Sequence, residues 1–243
     1  MINADNFKTD INKLTEFRII LIIKYVIYCY LNILKDRKTY NYSKKGKIPK
    51  EEFLRNGLVN DYLMKSHNKE YFKYNISDIP SVEITFHPEE IMTYTDKQTN
   101  QNSVDKIDIS IWESNLQSIW SEKTDNEIKF AIECKRIEKL SDANNYISDI
   151  EKFSNRDYLY TRLPFEGQIA FIENKDINHT TLRKEINERL KNYKIIITNN
   201  LLNQIILSDK FDGTYLSKHQ RNKGRQIFSI YHLFFDYSQI IID

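Results

Sequence analysis

The chain has 243 residues, of which 40% are hydrophobic and 29% are charged, and its formal net charge is +2. This length suits one sizeable domain with a helical appendage, and the composition excludes a mainly disordered chain. The net charge does not identify a nucleic-acid-binding protein by itself, because such proteins are recognised by clustered basic residues. With only 5 Gly and 4 Pro, we expect mostly regular secondary structure.

The apolar stretch FRIILIIKYVIYCYLNILK at residues 17 to 35 predicts a helix. Its length approaches that of a membrane span, but Lys24 interrupts it and Asn32 lies near its end. A signal peptide would need a small-residue cleavage site, which is absent here. We therefore expect this helix to be buried against the domain or a partner chain, with assembly into a homo-oligomer as one option and no membrane contact.

The cysteines and histidines predict no metal framework. Cys29 and Cys134 lie far apart in apolar surroundings, which is typical of reduced core thiols. The five histidines show no HExxH motif and no Cys/His spacing, so a zinc site is not expected. These features favour a reducing, cytoplasmic location.

Two stretches of the sequence are rich in basic residues. Residues 35 to 50, KDRKTYNYSKKGKIPK, hold a single acid, and residues 217 to 226, SKHQRNKGRQ, hold none. Such stretches can bind phosphates by charge, with Tyr40 and Tyr42 stacking on bases; alternatively they are solvated loops. The candidate nucleic-acid contacts are Lys44, Lys45, Lys47, Lys218, Arg221, Lys223 and Arg225.

Helical spacing of apolar residues follows the first basic stretch. KEEFLRNGLVNDYLMKS, residues 50 to 66, predicts an amphipathic helix with Glu51 and Glu52 in its first turn. Further helices are predicted at residues 142 to 155 and 180 to 193.

Alternation of apolar and polar residues predicts strands between these helices. They lie at residues 81 to 87, 106 to 112, 128 to 137 and 167 to 172, whereas residues 225 to 237 fit either a buried strand or a buried helix. This order predicts an α/β fold with a central mixed β-sheet flanked by helices. We expect an N-terminal helical segment and basic loop at residues 1–49 and the main domain at residues 50–243.

Three polar side chains share the predicted strands with apolar neighbours. Glu133 and Lys135 point to the same face because they are two residues apart, whereas Cys134 points into the core. If the two strands pair, Asp108 lies beside Glu133. Two carboxylates suit a hard cation such as Mg²⁺, and a nearby ammonium group would orient water or stabilise the transition state. The alternative is a solvated sheet face or a cross-strand ion pair.

An Asp on one strand followed by Glu-x-Lys on the next resembles the PD-(D/E)XK nuclease superfamily, here as Asp108 and Glu133-Cys134-Lys135. The resemblance spans roughly residues 50 to 172 and implies a restriction-endonuclease-like fold that depends on Mg²⁺ or Mn²⁺. It also implies metal contacts from Asp108, Glu133, the backbone carbonyl of Cys134 and one acid of the first helix, Glu51 or Glu52. No Pro precedes Asp108, where Ile107 stands.

The expected activity is metal-dependent hydrolysis of phosphodiester bonds, in DNA rather than RNA, by an endonuclease. The family association suggests a bacterial antiviral defence system. Two alternatives stay open: a catalytically silent nucleic-acid-binding or assembly subunit of the same fold, and an interaction protein that docks a partner through residues 17 to 35. Weaker candidates for contacts at the site or with nucleic acid are Tyr146, Lys152, Arg156, Gln168 and His219.

Overall fold

The computed structural model describes residues 4–75, 84–96, 101–113, 116, 129–158, 163–221 and 226–242. The helices in these ranges are α1 (Ala4–Lys35), α2 (Lys50–Leu58), α3 (Ser66–Asn75), α4 (Ala143–Asn155) and α5 (His179–Asn192). The strands are β1 (Tyr40–Asn41), β2 (Ile84–Asp96), β3 (Asn102–Glu113), β4 (Phe130–Ile137), β5 (Arg156–Tyr158), β6 (Phe165–Ile172), β7 (Ile197–Gln204), β8 (Thr214–Gln220), β9 (Ile227–Asp236) and β10 (Ile241–Ile242). A single π-helical turn, Val59–Leu63, continues α2.

Across the described ranges, eight strands form one mixed sheet in the order β5-β2-β3-β4-β6-β9-β8-β7. The β4–β6 and β6–β9 pairs are parallel, and the other pairs are antiparallel. All eight residues of β6 are buried, as expected for a central strand that helices cover on both faces. The predicted α/β fold with a mixed sheet and flanking helices is confirmed.

The last apolar run of the sequence is the strand β9, so the strand alternative for residues 225 to 237 is correct. Its position beside β6 explains why the pattern was ambiguous: a strand that is buried on both faces shows no alternation. Strands β7 and β8 were not predicted. Ser217 and His219 point inward on β8 although they are polar, so the sequence pattern of this strand is that of a loop.

Strands β2 and β3 are longer than the sequence pattern predicted. Their hairpin pairs Ile84 with Glu113 at one end and Thr95 with Asn102 at the other. The part of the predicted strand at residues 81–83 lies outside the described residues, as does residue 128 before β4.

Two apolar layers sandwich the sheet. On one face, α1 and α2 pack on Phe130, Ile132 and Cys134 of β4. On the other face, α4 and α5 pack on a second cluster that includes Ile137 and Ala170. The side chains of β4 therefore alternate between the two faces of the sheet as predicted, and Glu133 and Lys135 lie on the face that α4 covers.

Helix α1 belongs to the first layer. Its segment Ile11–Lys35 is long and apolar enough to cross a membrane, and half of the corresponding window is buried inside the protein. The Tyr25 hydroxyl donates to the carbonyl of Leu63, and the Tyr30 hydroxyl contacts the backbone of Asp236. Helix α1 therefore buries part of its apolar surface on the sheet.

Candidate active site

Asp108 and Glu133 meet where β3 and β4 separate. The paired register of these strands runs to Ile109 and Ile132, and the next position in the same register sets Asp108 opposite Glu133. There the backbone N–H of Cys134 donates a hydrogen bond of 2.8 Å to Asp108 Oδ2. Asp108 is 9% exposed and Glu133 is 5% exposed. Two acids 25 residues apart in sequence therefore lie side by side at the edge of the core.

The environment of Glu133 favours its protonated form. Burial raises the pKa of Glu133 well above its ordinary value, and the neighbouring carboxylates of Asp108 and Asp149 raise it further. A carboxyl group in such a place binds a proton tightly because no adjacent cation fully compensates its charge.

Lys135 lies beside this acidic pair but makes its ion pairs with two other acids. Its ammonium group is 3.2 Å from Glu51 Oε1 and 3.2 Å from Asp149 Oδ2. Burial lowers the pKa of Lys135, but the charges of Asp149 and Glu51 outweigh this effect and raise the pKa above its ordinary value. Lys135 is therefore a cation at neutral pH.

The structure distinguishes the two acids of the first helical turn. Glu51 contacts Lys135, and its Oε2 accepts a hydrogen bond of 3.0 Å from the backbone N–H of Arg136. Burial raises the pKa of Glu51, against the charge of Lys135. Glu52 instead pairs with the exposed Lys106 at 3.0 Å. Only Glu51 joins the site, because it shares a helical face with the buried Leu54.

Two charged residues at the site were missed by the sequence analysis. Arg55 of α2 is 1% exposed, and its Nη1 lies 2.7 Å from Asp108 Oδ1. Asp149 of α4 is fully buried and holds both Lys135 and Lys152. The sequence contains a signal for each of these two residues. Both are charged residues on a helix face that is otherwise apolar, and a buried charge needs a partner.

A row of polar residues continues from the acidic pair across the sheet. Gln168 of β6 is in register with Glu133 on the same face, and it is also in register with His232 of β9. The Gln168 side-chain amide donates to the carbonyl of Tyr146 at 2.8 Å. Its Oε1 is buried and has no hydrogen-bond partner among the residues that the structure describes. Gln168 therefore lies beside Glu133 in the sheet, and its contact with the site stays a prediction.

Several predicted nucleic-acid contacts are buried instead. Arg221 is 5% exposed and donates to the carbonyls of Phe153 and Leu163, so its guanidinium has partners inside the protein. Its contact with nucleic acid stays a prediction. Its charge is compensated internally by Glu166 at 3.2 Å. The weaker candidates Tyr146 and His219 are also fully buried.

The predicted base-stacking tyrosines are core residues too. Tyr40 and Tyr42 are buried, and both rings pack against Phe53. The basic loop before α2 therefore exposes Lys44 and Lys47 to solvent, but not its tyrosines.

The remaining basic candidates lie at the surface or outside the described ranges. Lys44, Lys47 and Lys218 are exposed. Lys45 is partly buried and closes its own loop by donating to the carbonyl of Ile48 at 2.9 Å. Residues without a description are Lys223, Arg225 and the side chain of Arg156.

Comparison of the chain with protein-family models, with curated proteins and with solved structures finds no match. Membership of the PD-(D/E)XK superfamily therefore stays a prediction, and the chemistry must be argued from the site itself.

The donor set fits a divalent ion of the magnesium type. In the described part of the chain, no three His, Cys, Asp or Glu side chains are grouped to hold a metal. Mg²⁺ does not require such a cage, because it is commonly bound through one or two carboxylates while it keeps waters and substrate phosphates. Asp108 and Glu133 supply two adjacent carboxyl groups, and the unpartnered Gln168 Oε1 is a buried oxygen on the neighbouring strand.

Proposed function

We propose that this protein is a metal-dependent nuclease that hydrolyses phosphodiester bonds in DNA. The observation that carries the proposal is the convergence of Asp108 and Glu133 at the separation of β3 and β4, with Lys135 on the same face of β4. Buried acids without a role are destabilising, so their meeting beside an ammonium group favours a functional site over a solvated sheet face.

Each side chain has a physical role in this proposal. A Mg²⁺ or Mn²⁺ ion held by Asp108 and Glu133, with the Cys134 carbonyl as a further ligand, would polarise the phosphate and lower the pKa of a bound water. The Cys134 N–H orients the Asp108 carboxylate. Glu51 and Asp149 hold the Lys135 ammonium in place, so that its positive charge can stabilise charge that develops on the phosphate.

A catalytically silent nucleic-acid-binding or assembly subunit is the second candidate. It is favoured by the Arg55 guanidinium, which already compensates the charge of Asp108 without a metal. In that case the exposed Lys44 and Lys47 would carry the function by contacting phosphates. The setting in antiviral defence and the cytoplasmic location belong to the proposal and rest on the resemblance and on the cysteine pattern.

A nuclease assay with matched variants tests the proposal. Supercoiled plasmid and single-stranded DNA are incubated with Mg²⁺ or Mn²⁺ and either wild type, Glu133→Gln or Lys135→Met. We expect each substitution to reduce the cleavage rate by about 100-fold or more, since each removes a group that acts on the reacting phosphate.

The controls for this assay are Glu188→Gln and Lys191→Met. These two residues form an exposed ion pair of 2.6 Å on α5, so they match the charge changes away from the site. Cleavage that survives both site substitutions would show that the nuclease assignment is wrong. Salt-dependent DNA binding by a wild type that does not cleave would favour the silent subunit.

A further inference from the structure

Arg55 is a fully buried cation that spans two acids. From α2, its Nη1 lies 2.7 Å from Asp108 Oδ1, and its Nη2 contacts Glu89 of β2. Its Nε also donates to Asn56 Oδ1 at 3.3 Å. Each nitrogen of the guanidinium group thus has an acceptor, as a buried arginine requires.

Both oxygens of the Asp108 carboxylate accept a hydrogen bond. Oδ1 accepts from Arg55, and Oδ2 accepts from the backbone N–H of Cys134. A divalent ion bound to the same carboxylate would lie within a few ångströms of the guanidinium charge. Because like charges at that distance in a poorly solvated site repel strongly, the ion and Arg55 cannot share Asp108 without a loss of affinity.

Glu89 gives the guanidinium a partner that does not depend on Asp108. It lies opposite Asp108 in the β2–β3 register, between the pairs Pro88–Ile109 and Glu90–Ile107. Its φ of 60° is rare for a residue other than glycine, and such backbone strain persists only where the surroundings enforce it. Here the strained position carries the side chain that holds Arg55.

Movement of Arg55 away from Asp108 would therefore not leave a buried charge alone. The guanidinium would keep Glu89, whose side chain is 33% exposed and also lies 3.0 Å from Lys106. A buried cation that retains one acid can release another at a much smaller free-energy cost than a cation that loses its only partner.

We propose that Arg55 acts as a latch on the candidate active site: the guanidinium of Arg55 competes with a divalent ion for Asp108. This competition weakens ion binding in the resting protein. This inference rests on the proposed function, since it assumes that Asp108 and Glu133 bind the ion. It assigns a regulatory, self-inhibiting role to a contact that would otherwise be a structural ion pair.

The test is a titration of the full chain with Mn²⁺ alone, and the binding is measured by isothermal calorimetry. Arg55→Met removes the competing charge and keeps much of the side-chain volume. We expect it to bind Mn²⁺ about 5- to 150-fold more tightly than wild type, the usual range for two coupled equilibria. Arg55→Lys keeps a charge but cannot reach both acids, so it should give a smaller increase in Mn²⁺ affinity. This second variant keeps the test valid if Arg55→Met does not fold.

Two further variants separate the possible outcomes. Arg189→Met removes an arginine of α5 that pairs with Glu185 and should leave Mn²⁺ affinity unchanged. Glu133→Gln should abolish binding with or without the Arg55 substitution. Unchanged or weaker binding by both Arg55 variants, with Glu133→Gln still abolishing it, would overturn the latch and leave the metal site standing. Binding that is indifferent to Glu133→Gln would overturn the metal site, the proposed function and the latch together.

Discussion

Two carboxyl groups that are buried side by side cannot both be charged at low free energy. Asp108 and Glu133 differ in the hydrogen-bond donors and charges that surround them. Asp108 accepts hydrogen bonds from the guanidinium of Arg55 and from the N–H of Cys134. Glu133 has the raised pKa, because burial and the two neighbouring carboxylates oppose its charge. Glu133 is therefore the member of the pair whose surroundings favour the protonated form.

Glu133→Gln should stabilise the protein at neutral pH. A carboxyl group whose pKa is raised by folding contributes stability that is full below its ordinary value, near 4.5, and is lost as the pH rises through the raised pKa. The neutral amide removes this loss. We expect a gain of about 0.5–2 kcal/mol at pH 7.5, which corresponds to a rise in Tm of roughly 1–8 °C.

Thermal unfolding of the variant and wild type at pH 7.5 and at pH 4.5 checks this prediction. The gain should shrink at the lower pH, because Glu133 of the unfolded wild type then also binds a proton. Glu188→Gln, on the exposed face of α5, should show no such gain. A destabilised Glu133→Gln protein at both pH values would contradict the expected protonation of Glu133.

At the scale of elements, α2 is positioned by close packing as well as by charge. A Cβ atom added at Gly57 would lie 2.1 Å from Cε1 of Tyr40, a buried residue of β1. Gly57 therefore lets α2 approach the loop before it closely. This approach matters to the site because Glu51 and Arg55 both lie on α2.

Gly57→Ala should destabilise the protein by about 1–2 kcal/mol. Overpacking against the Tyr40 ring costs about 1–3 kcal/mol, and the better helix propensity of alanine offsets up to about 1 kcal/mol of it. The measurement is chemical denaturation of Gly57→Ala in two backgrounds, wild type and Tyr40→Leu. With the ring removed, the alanine should be neutral or stabilising. An equal loss in both backgrounds would show that the close approach is not the cause.

The elements also show how far the sequence could predict this site. The strand period fixed the shared face of Glu133 and Lys135, and the flanking apolar residues made a strand around Asp108 predictable. Arg55 and Asp149 could not be placed, because their roles depend on how α2 and α4 dock on the sheet. Strand β8 was missed because Ser217 and His219 are polar residues that point inward.

At the scale of the whole molecule, those inward polar residues form a chain of hydrogen bonds under α4. The Tyr146 hydroxyl contacts His232 Nδ1 at 2.9 Å, and His232 Nε2 contacts the Ser217 hydroxyl at 2.7 Å. Ser217 also contacts His219 Nε2 at 2.7 Å, and His219 Nδ1 contacts Thr198 at 3.1 Å. The chain links a helix to three strands, so its protonation state concerns the stability of the entire fold.

Acid should destabilise the protein through these two histidines. Burial lowers the pKa of His219 from 6.5 to about 3, and burial together with the charge of His219 lowers the pKa of His232 well below its ordinary value. A histidine whose pKa is lowered by folding contributes stability that is full above about pH 6.5 and is lost as the pH falls towards the lowered value.

The difference in Tm between pH 7.5 and pH 5 measures this effect. His219→Gln should be less stable than wild type at pH 7.5, since it disturbs the hydrogen bonds, but it should lose less stability on acidification. His67→Gln, at an exposed position, should lose as much as wild type. An acid response of His219→Gln equal to that of wild type would show that His219 does not titrate on unfolding.

The contact between Arg55 and Asp108 joins residues 53 positions apart, and the partners of these two residues extend from Glu89 on β2 to Cys134 on β4. Until α2 has docked, Asp108 lacks its ion pair with the guanidinium of Arg55. We expect a consequence for folding: the apolar residues of β3 and β4 can pair before α2 docks, whereas their acidic ends reach the final arrangement when Arg55 is in place. The arrangement of the acidic pair is thus a property of the whole chain, because it depends on one helix and two strands that lie far apart in sequence.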